Sequence, residues 1–275
     1  MARKKILGYE IPSFDIDRMT FIWRIIYKNV YSDSLIGLLF DFNNITSTGQ
    51  CSLKSISEIP NEIDINIKNF INNYYTIFYL SGDADFGRIS GLNNFLSKKY
   101  RFHNYEDYIS HMHQFYNFSL CPVNAAMNSK KGLKSGCNDC FPLYIYRLNE
   151  YYNTPNNQKL DYIKRYLGNP AKGGRPSKNI SQADKQEKYE NDVCALRDYF
   201  GLFTNFNNYC QEVFFYGDSS ESTENVIKKL LDFGEKINNN ELDNKQEYFK
   251  EYLDIVIDYW RLKYEIAINV MDNKK

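Results

Sequence analysis

Histidine and cysteine side chains, the usual ligands of zinc in proteins, are concentrated in one part of this chain. All three histidines and three of the six cysteines lie between residues 103 and 140. Cys137 and Cys140 have the CxxC spacing of a zinc half-site. His111 and His113 are the nearest candidates to complete it, but they share a face only on an extended segment, not on the helix predicted here. We therefore predict no bound metal and keep zinc at these four residues as the alternative.

A pair of carboxylates, Asp83 and Asp85, follows the strand predicted over residues 74–83. Alternate residues of a strand point the same way, so both carboxylates could hold Mg²⁺. Enzymes that transfer nucleotidyl groups use such a pair, but with a Gly-Ser phosphate-binding turn that this sequence lacks. A turn rich in Asp and Gly explains the same residues without chemistry. The pair is therefore kept as the alternative catalytic site, with Mg²⁺ as the alternative cofactor.

The segment AKGGRPSK carries Lys172 and Arg175 among glycines and a proline. Extended segments of this composition can lie in the minor groove of DNA, where arginine responds to groove width. The whole chain has 34 basic and 34 acidic residues, so it has no overall cationic field to concentrate nucleic acid around it. We predict that nucleic acid binds weakly, if at all, through Lys172 and Arg175.

The remaining features of the sequence exclude several classes of protein. The sequence contains no phosphate-loop, dinucleotide-binding, serine-hydrolase or zinc-protease motif. It shows neither a signal peptide nor the about 20 consecutive apolar residues of a membrane span. Cysteines without a secretion signal indicate reduced thiols, so we expect a cytoplasmic protein that does not enter a membrane. Frequent Asn, Lys, Ile, Tyr and Phe indicate a low-GC genome, because the codons of these residues are AT-rich.

The periodicity of apolar residues predicts an α+β fold that is dominated by helices. A small sheet is expected in the N-terminal half, and the C-terminal half is expected to be helical. Strands are predicted at residues 34–42, 51–56, 74–83 and 118–123. Helices are predicted at residues 16–30, 87–99, 104–116, 139–152, 158–167, 192–203, 207–217, 223–237 and 244–271.

This pattern predicts that the chain has three parts. Residues 1–168 form an α+β domain, residues 169–186 an exposed linker or loop insertion, and residues 187–275 a helical part. The helical part either stands alone or packs with the first domain. The predicted helix from residue 244 has an apolar stripe, from Tyr248 to Ile266, that packs either on its own core or on a second copy of the chain.

Three blocks of the sequence, residues 117–153, 160–168 and 197–218, resemble an uncharacterised bacterial and phage family of unknown function. The family pattern has an extended segment ending in proline, an Asn-x-x-Lys/Arg-Gly loop, an Asp-started helix ending in Tyr-Tyr, and a Phe-x-x-Phe-x-x-Tyr segment. Here these parts are residues 121–122, 128–132, 139–152 and 203–209, and a Ser-Asp turn of the family corresponds to Asp83. The resemblance implies that cysteines are not required at positions 137 and 140. It also implies that AKGGRPSK is an insertion between two helices.

The resemblance brings no known activity, but it directs attention to the basic loop 124–134 beside Asp139. Asn128 and Lys131 in this loop are expected to bind a phosphate or a protein carboxylate, and Arg147 on the following helix is expected to assist. Loop closure by Asn and Gly explains the same segment equally well.

These observations predict a non-enzymatic, cytoplasmic interaction protein of a low-GC bacterium or its phage. Balanced charge and abundant Tyr and Asn suit a surface that contacts another protein. A role in phage defence or counter-defence is expected by analogy with the family's genomic setting. The alternative is a divalent-metal-dependent enzyme that acts on nucleotides or nucleic acid, with Asp83 and Asp85 as metal ligands. A homo-oligomer formed through the C-terminal helix is compatible with both predictions.

Overall fold

The structure, a computed structural model, is dominated by helices, and this prediction from the sequence is confirmed. It describes residues 5–6, 9–10, 21–46, 50–73, 78–82, 114–122, 141–167, 182–239 and 245–273. Within these residues the helices are α1 (Phe21–Val30), α2 (Leu35–Leu39), α3 (Ile65–Asn73), α4 (Phe141–Asn153), α5 (Lys159–Tyr162), α6 (Gln182–Phe200), α7 (Phe206–Phe214), α8 (Glu221–Asn238) and α9 (Lys245–Asp272). None of the described helices is both long enough and apolar enough to cross a membrane.

Short strands accompany the helices. They are β1 (Lys5–Ile6), β2 (Tyr9–Glu10), β3 (Gln50–Cys51), β4 (Phe78–Gly82) and β5 (Phe118–Pro122). β1 pairs with β2, and β4 pairs with β3 on one side and β5 on the other, all antiparallel. In the β4–β5 ladder Gly82 lies opposite Phe118. The finer prediction of an N-terminal sheet and a helical C-terminal half stays a prediction, because these strands are short and α1–α3 lie in the same half.

Residues 34–42 form a short helix and a turn, so the strand predicted there is wrong. Ser34 is a favoured N-cap residue, and its Oγ accepts a hydrogen bond from the backbone N–H of Gly37 at 3.2 Å. The chain leaves α2 at Phe40, which makes an isolated bridge to Leu53. Periodicity does not distinguish a strand from a buried helix in a short apolar run. Here the N-cap hydrogen bond of Ser34 favours the helix.

Other predicted elements differ at their ends. The strand predicted at 51–56 is only partly formed, since Cys51 ends β3 and residues 56–58 make a 3₁₀ turn. Residues 115–117 also form a 3₁₀ turn, where the predicted helix 104–116 should have ended. The rest of that helix and the helix predicted at 87–99 lie outside the described residues. The other predicted helices correspond to α1 and to α4–α9, and their existence is confirmed.

Helix α6 begins at Gln182, inside the segment that the sequence predicted as a linker. Its first turns are polar, and the described side chains of Asp184, Gln186 and Glu187 are exposed. An apolar period begins only where Tyr189, and one turn later Val193, face the core. The polar beginning of a helix has no apolar periodicity, so the sequence pattern does not distinguish it from a linker.

One hydrophobic cluster contains buried residues from α1 through to α9. Hydrogen bonds inside it join distant parts of the chain: Tyr31 Oη donates to the carbonyl of Val213 at 2.7 Å, and Trp260 Nε1 donates to Asn117 Oδ1 at 2.7 Å. Such buried polar groups are stable because each has a partner. The domain boundaries at 168 and 187 stay a prediction, but both sides of them contribute to this cluster.

The apolar stripe of α9 packs on the core of its own chain. Tyr252 and Tyr259 are completely buried, and Ile255 and Ile266 are less than a tenth exposed. Leu262 and Tyr248 are partly buried against the same cluster. The stripe is therefore occupied by the core of its own chain, and a homo-oligomer formed through this helix stays a prediction.

Candidate functional site

Most residues that the sequence predicted to bind ligands or metals lie outside the described part of the structure. They are Asp83, Asp85, His111, His113, Asn128, Lys131, Cys137, Cys140, Lys172 and Arg175. The anion site predicted there stays a prediction, and the zinc and magnesium sites stay alternatives. Among the described residues, no group of three or more His, Cys, Asp or Glu side chains is placed to hold a metal ion.

Arg147 is a predicted site residue that the structure does describe, and its side chain is buried on α4. Nη1 donates to the carbonyl oxygen of Tyr166 at 3.4 Å, and the guanidinium carbon lies 5.5 Å from the centre of the Tyr166 ring. Tyr166 belongs to the π-helical turn Ile163–Leu167 that follows α5. These contacts tie α4 to that turn, and the role of Arg147 in anion binding stays a prediction.

The buried thiols of the described residues are poor nucleophiles. Burial, with the nearby Asp41 carboxylate, raises the pKa of Cys51 to about 12. Burial alone raises the pKa of Cys210 well above its usual value. Because the thiolate is the reactive form, both side chains are expected to be unreactive at neutral pH.

Lys263 of α9 is a completely buried lysine. Its Nζ donates to the carbonyl of Phe118 at 3.0 Å, to Ser119 Oγ at 2.6 Å and to the hydroxyl of Tyr259 at 3.1 Å. The rings of Tyr216 and Tyr259 also face the ammonium, with centroids 5.2 and 5.5 Å away. A buried ammonium is costly unless its donors are satisfied, and here three N–H groups meet three oxygens.

The segment directly before β5, the strand that Lys263 contacts, is held by two further hydrogen bonds. Asn117, one residue before β5, accepts the indole N–H of Trp260, and the carbonyl of Phe115 accepts the hydroxyl of Tyr27 at 2.7 Å. Tyr216, whose ring faces Lys263, has a positive φ of 57°, a conformation that non-glycine residues rarely adopt. The end of β4 is close by, because Gly82 pairs with Phe118, and Asp83 follows Gly82 in the sequence.

The surface between β3 and α3 carries two exposed isoleucines, Ile56 and Ile65, which we call the isoleucine patch. They are 42 % and 64 % exposed, and they are the large hydrophobic side chains that the described residues leave in solvent. The 3₁₀ turn that contains Ile56 packs against α3, which begins with Ile65. Three exposed carboxylates, those of Glu58, Glu62 and Asp64, lie at neighbouring positions in the chain.

The described surface also contains concave regions. A groove of about 920 Å³ lies between α8 and α9, and it is lined mainly by charged side chains. Ion pairs cross it, from Lys229 Nζ to Asp258 Oδ2 and from Lys236 Nζ to Glu251 Oε1, both at 2.7 Å. These side chains are partly exposed, and such pairs are typical of a solvated surface between two helices. A second cavity, of about 610 Å³, lies beside α3.

Comparison with known proteins gives no relative for this chain: no family model, no curated protein and no solved structure matches it. The resemblance to an uncharacterised bacterial and phage family therefore gains no support from these comparisons.

Sequence reasoning missed both Lys263 and the isoleucine patch. A signal for Lys263 was present, since it follows Tyr259 by four residues and precedes Ile266 by three, and so lies beside the apolar stripe of α9. Sequence reasoning also expected tyrosines on a contact surface. That expectation is wrong for the eleven tyrosines that the structure places in the core: Tyr27, Tyr31, Tyr116, Tyr144, Tyr151, Tyr189, Tyr199, Tyr209, Tyr216, Tyr252 and Tyr259.

Proposed function

We propose that the protein acts in the cytoplasm by binding a partner protein, without catalysis of its own, and that the isoleucine patch is part of the contact surface. The observation that carries the proposal is the exposure of Ile56 and Ile65 on two elements that pack together. Removing apolar surface from water contributes roughly 25 cal/mol per Å², so a partner that covers both side chains gains stability from them.

The chemistry around the patch indicates the kind of partner. Protein interfaces commonly place apolar side chains at the centre and polar groups at the rim. Three exposed carboxylates, those of Glu58, Glu62 and Asp64, lie near the two isoleucines in the sequence. We therefore expect the partner to present an apolar side chain that is flanked by lysine or arginine. The setting proposed for this complex is phage defence or counter-defence in a low-GC bacterium, and its support is the composition and the resemblance described above.

The experiment that tests the proposal is native mass spectrometry of the tagged protein purified from a low-GC bacterial host. A stoichiometric complex with one other protein is expected. Ile65→Lys combined with Ile56→Lys is expected to abolish this complex, because each new positive charge would be buried beside the basic side chains expected on the partner. Asn225→Lys, at an exposed position of α8, is the matched control and should leave the complex intact.

Photo-crosslinking makes the same test position-specific. Benzoylphenylalanine at position 65 should crosslink to the partner, whereas the same probe at position 225 should not. A protein that elutes alone, or a complex that survives both isoleucine substitutions, would contradict the proposal.

The second candidate function is the metal-dependent enzyme acting on nucleotides or nucleic acid. The observation in its favour is that β4 pairs with strands on both sides and ends at Gly82, directly before Asp83 in the sequence. In this case Mg²⁺ or Mn²⁺ with nucleotide should raise the melting temperature, and Asp83→Asn should remove that effect while the fold survives. No shift with either ion would exclude this candidate in favour of partner binding.

A further inference from the structure

A cavity of about 610 Å³ opens where α3, the turn before α5 and the C-terminal end of α6 meet. Its volume lies within the range of about 300–1,000 Å³ that is common for small-molecule sites. Its inner wall is apolar: Phe70 and Tyr151 are both buried, and Phe70 packs on Tyr199 of α6 with ring centroids 6.0 Å apart. The wall is therefore built by the core of the protein and does not depend on a mobile surface side chain.

One side of the cavity is a row of amides. Asn66, Asn69 and Asn73 line it from α3, at spacings of three and four residues that place them on one face of the helix. Asn156 lines it from the turn before α5. Each amide offers two N–H donors and a carbonyl acceptor. Neighbouring hydroxyl groups of a ligand also donate and accept, so a row of amides is complementary to a row of hydroxyls.

The charged groups that line the cavity have a net positive charge. They are Lys159, Arg197 and Asp198, which leaves one positive charge in excess. Arg197 Nη2 and Nε both lie 2.7 Å from Asp198 Oδ1, an ion pair that fixes the guanidinium at the wall. Lys159 Nζ lies over the Tyr151 ring, 5.1 Å from its centroid. An anionic group of a ligand would balance this excess charge beside Lys159 and Arg197.

We propose that this cavity binds a small, hydroxyl-rich ligand with one anionic group, in the chemical class of sugar phosphates and sugar acids. The anionic group lies near Lys159 and Arg197, the hydroxyls contact the asparagines of α3, and an apolar edge of the ligand rests on Phe70 and Tyr151. This inference does not depend on the isoleucine patch, so either it or the proposed partner binding can fail without the other.

Isothermal titration calorimetry on the full chain tests the inference with a fixed set of probes. The set is glucose 6-phosphate, ribose 5-phosphate and gluconate, with inorganic phosphate as a bare anion and glucose as an uncharged sugar for comparison. At least one of the first three should bind at least about fivefold more tightly than either inorganic phosphate or glucose. Two results would overturn the proposal: no binding of any probe at about 10 mM, or a preference of less than about fivefold for all of the first three probes over inorganic phosphate and glucose.

Substitutions locate the binding within the cavity. Lys159→Met should weaken binding of the charged probe about fivefold or more, and Asn69→Ala, at an exposed amide, should weaken it without affecting folding. Lys68→Met is the matched control, because Lys68 lies on α3 but does not line the cavity, and its Nζ donates to the carbonyl of Asn61 at 2.7 Å. Binding that is unchanged in Asn69→Ala and Lys159→Met, or lost equally in Lys68→Met, would place the ligand elsewhere and contradict the inference.

Discussion

At the scale of single residues, Lys263 joins helix α9 to strand β5, because its three N–H groups meet oxygen atoms of Phe118, Ser119 and Tyr259. Lysine is seldom fully buried, since its ammonium loses the hydration that water provides. Here the loss is offset by hydrogen bonds and by two tyrosine rings. The side chain thus behaves as a polar connector inside an aromatic core.

Replacing Lys263 by methionine tests this role. Lys263→Met keeps most of the side-chain volume but removes the hydrogen bonds from Nζ to Phe118, Ser119 and Tyr259. We expect the free energy of unfolding to fall by about 2 kcal/mol, within the range for the loss of hydrogen bonds to a charged group. Urea denaturation followed by circular dichroism measures the change.

The matched control for this substitution is Lys250→Met, at an exposed position of the same helix. It should change the free energy of unfolding by less than about 0.5 kcal/mol. If Lys263→Met were equally neutral, the hydrogen bonds of Lys263 would contribute nothing to stability and its role as a connector would be wrong.

At the scale of secondary-structure elements, the contact between α4 and α8 depends on a residue without a side chain. A Cβ atom at Gly234 of α8 would lie 2.2 Å from the carbonyl oxygen of Pro142 and 2.7 Å from Cβ of Tyr146, both on α4. Glycine is destabilising inside a helix, so the close approach of the two helices explains its presence here.

Gly234→Ala distinguishes helix propensity from close packing, because the two effects change the free energy of unfolding in opposite directions. On helix propensity alone the substitution would stabilise α8 by about 1 kcal/mol. The clash with Pro142 should reverse this, and we expect a net loss of about 2 kcal/mol in the free energy of unfolding. Thermal denaturation of this variant, compared with Asn225→Ala on the exposed face of α8, provides the measurement. A variant as stable as the parent would mean that α4 and α8 are farther apart than the structure places them.

At the scale of the whole molecule, one hydrophobic cluster extends from α1 to α9. Two of its hydrogen bonds connect residues far apart in the chain: Tyr31 with Val213, and Trp260 with Asn117. A shared core couples the stability of the elements that build it, because unfolding any one of them would expose apolar side chains of the others.

The shared core predicts a single cooperative unfolding transition. In a Trp23→Phe variant, the fluorescence of Trp260 reports on the core beside β5, while far-UV circular dichroism reports on all helices. The two melting curves should coincide, since both follow the same transition. Two separated midpoints would show that the N-terminal and C-terminal parts unfold independently, as separate domains would.

The long amphipathic helices could be predicted from the sequence because their apolar period is a local property. This holds for α4, α8 and α9, whose extents agree with the predictions to within a few residues. The strand at β5 was found for a similar reason, as a short apolar segment closed by Pro122. The polar beginning of α6 and the capped helix α2 were not found, since neither has an apolar period long enough to recognise.

The sequence by itself determined the dominance of helices, the apolar stripe of α9 and the chemical types that lie close together along the chain. Only the tertiary structure decided that the stripe packs on its own core, that Lys263 bonds to β5 and that four asparagines line one cavity with Lys159 and Arg197. The physical reason is sequence separation. Periodicity reports the environment of a segment over a few turns, whereas these contacts join residues tens to more than a hundred positions apart, and packing alone brings them together.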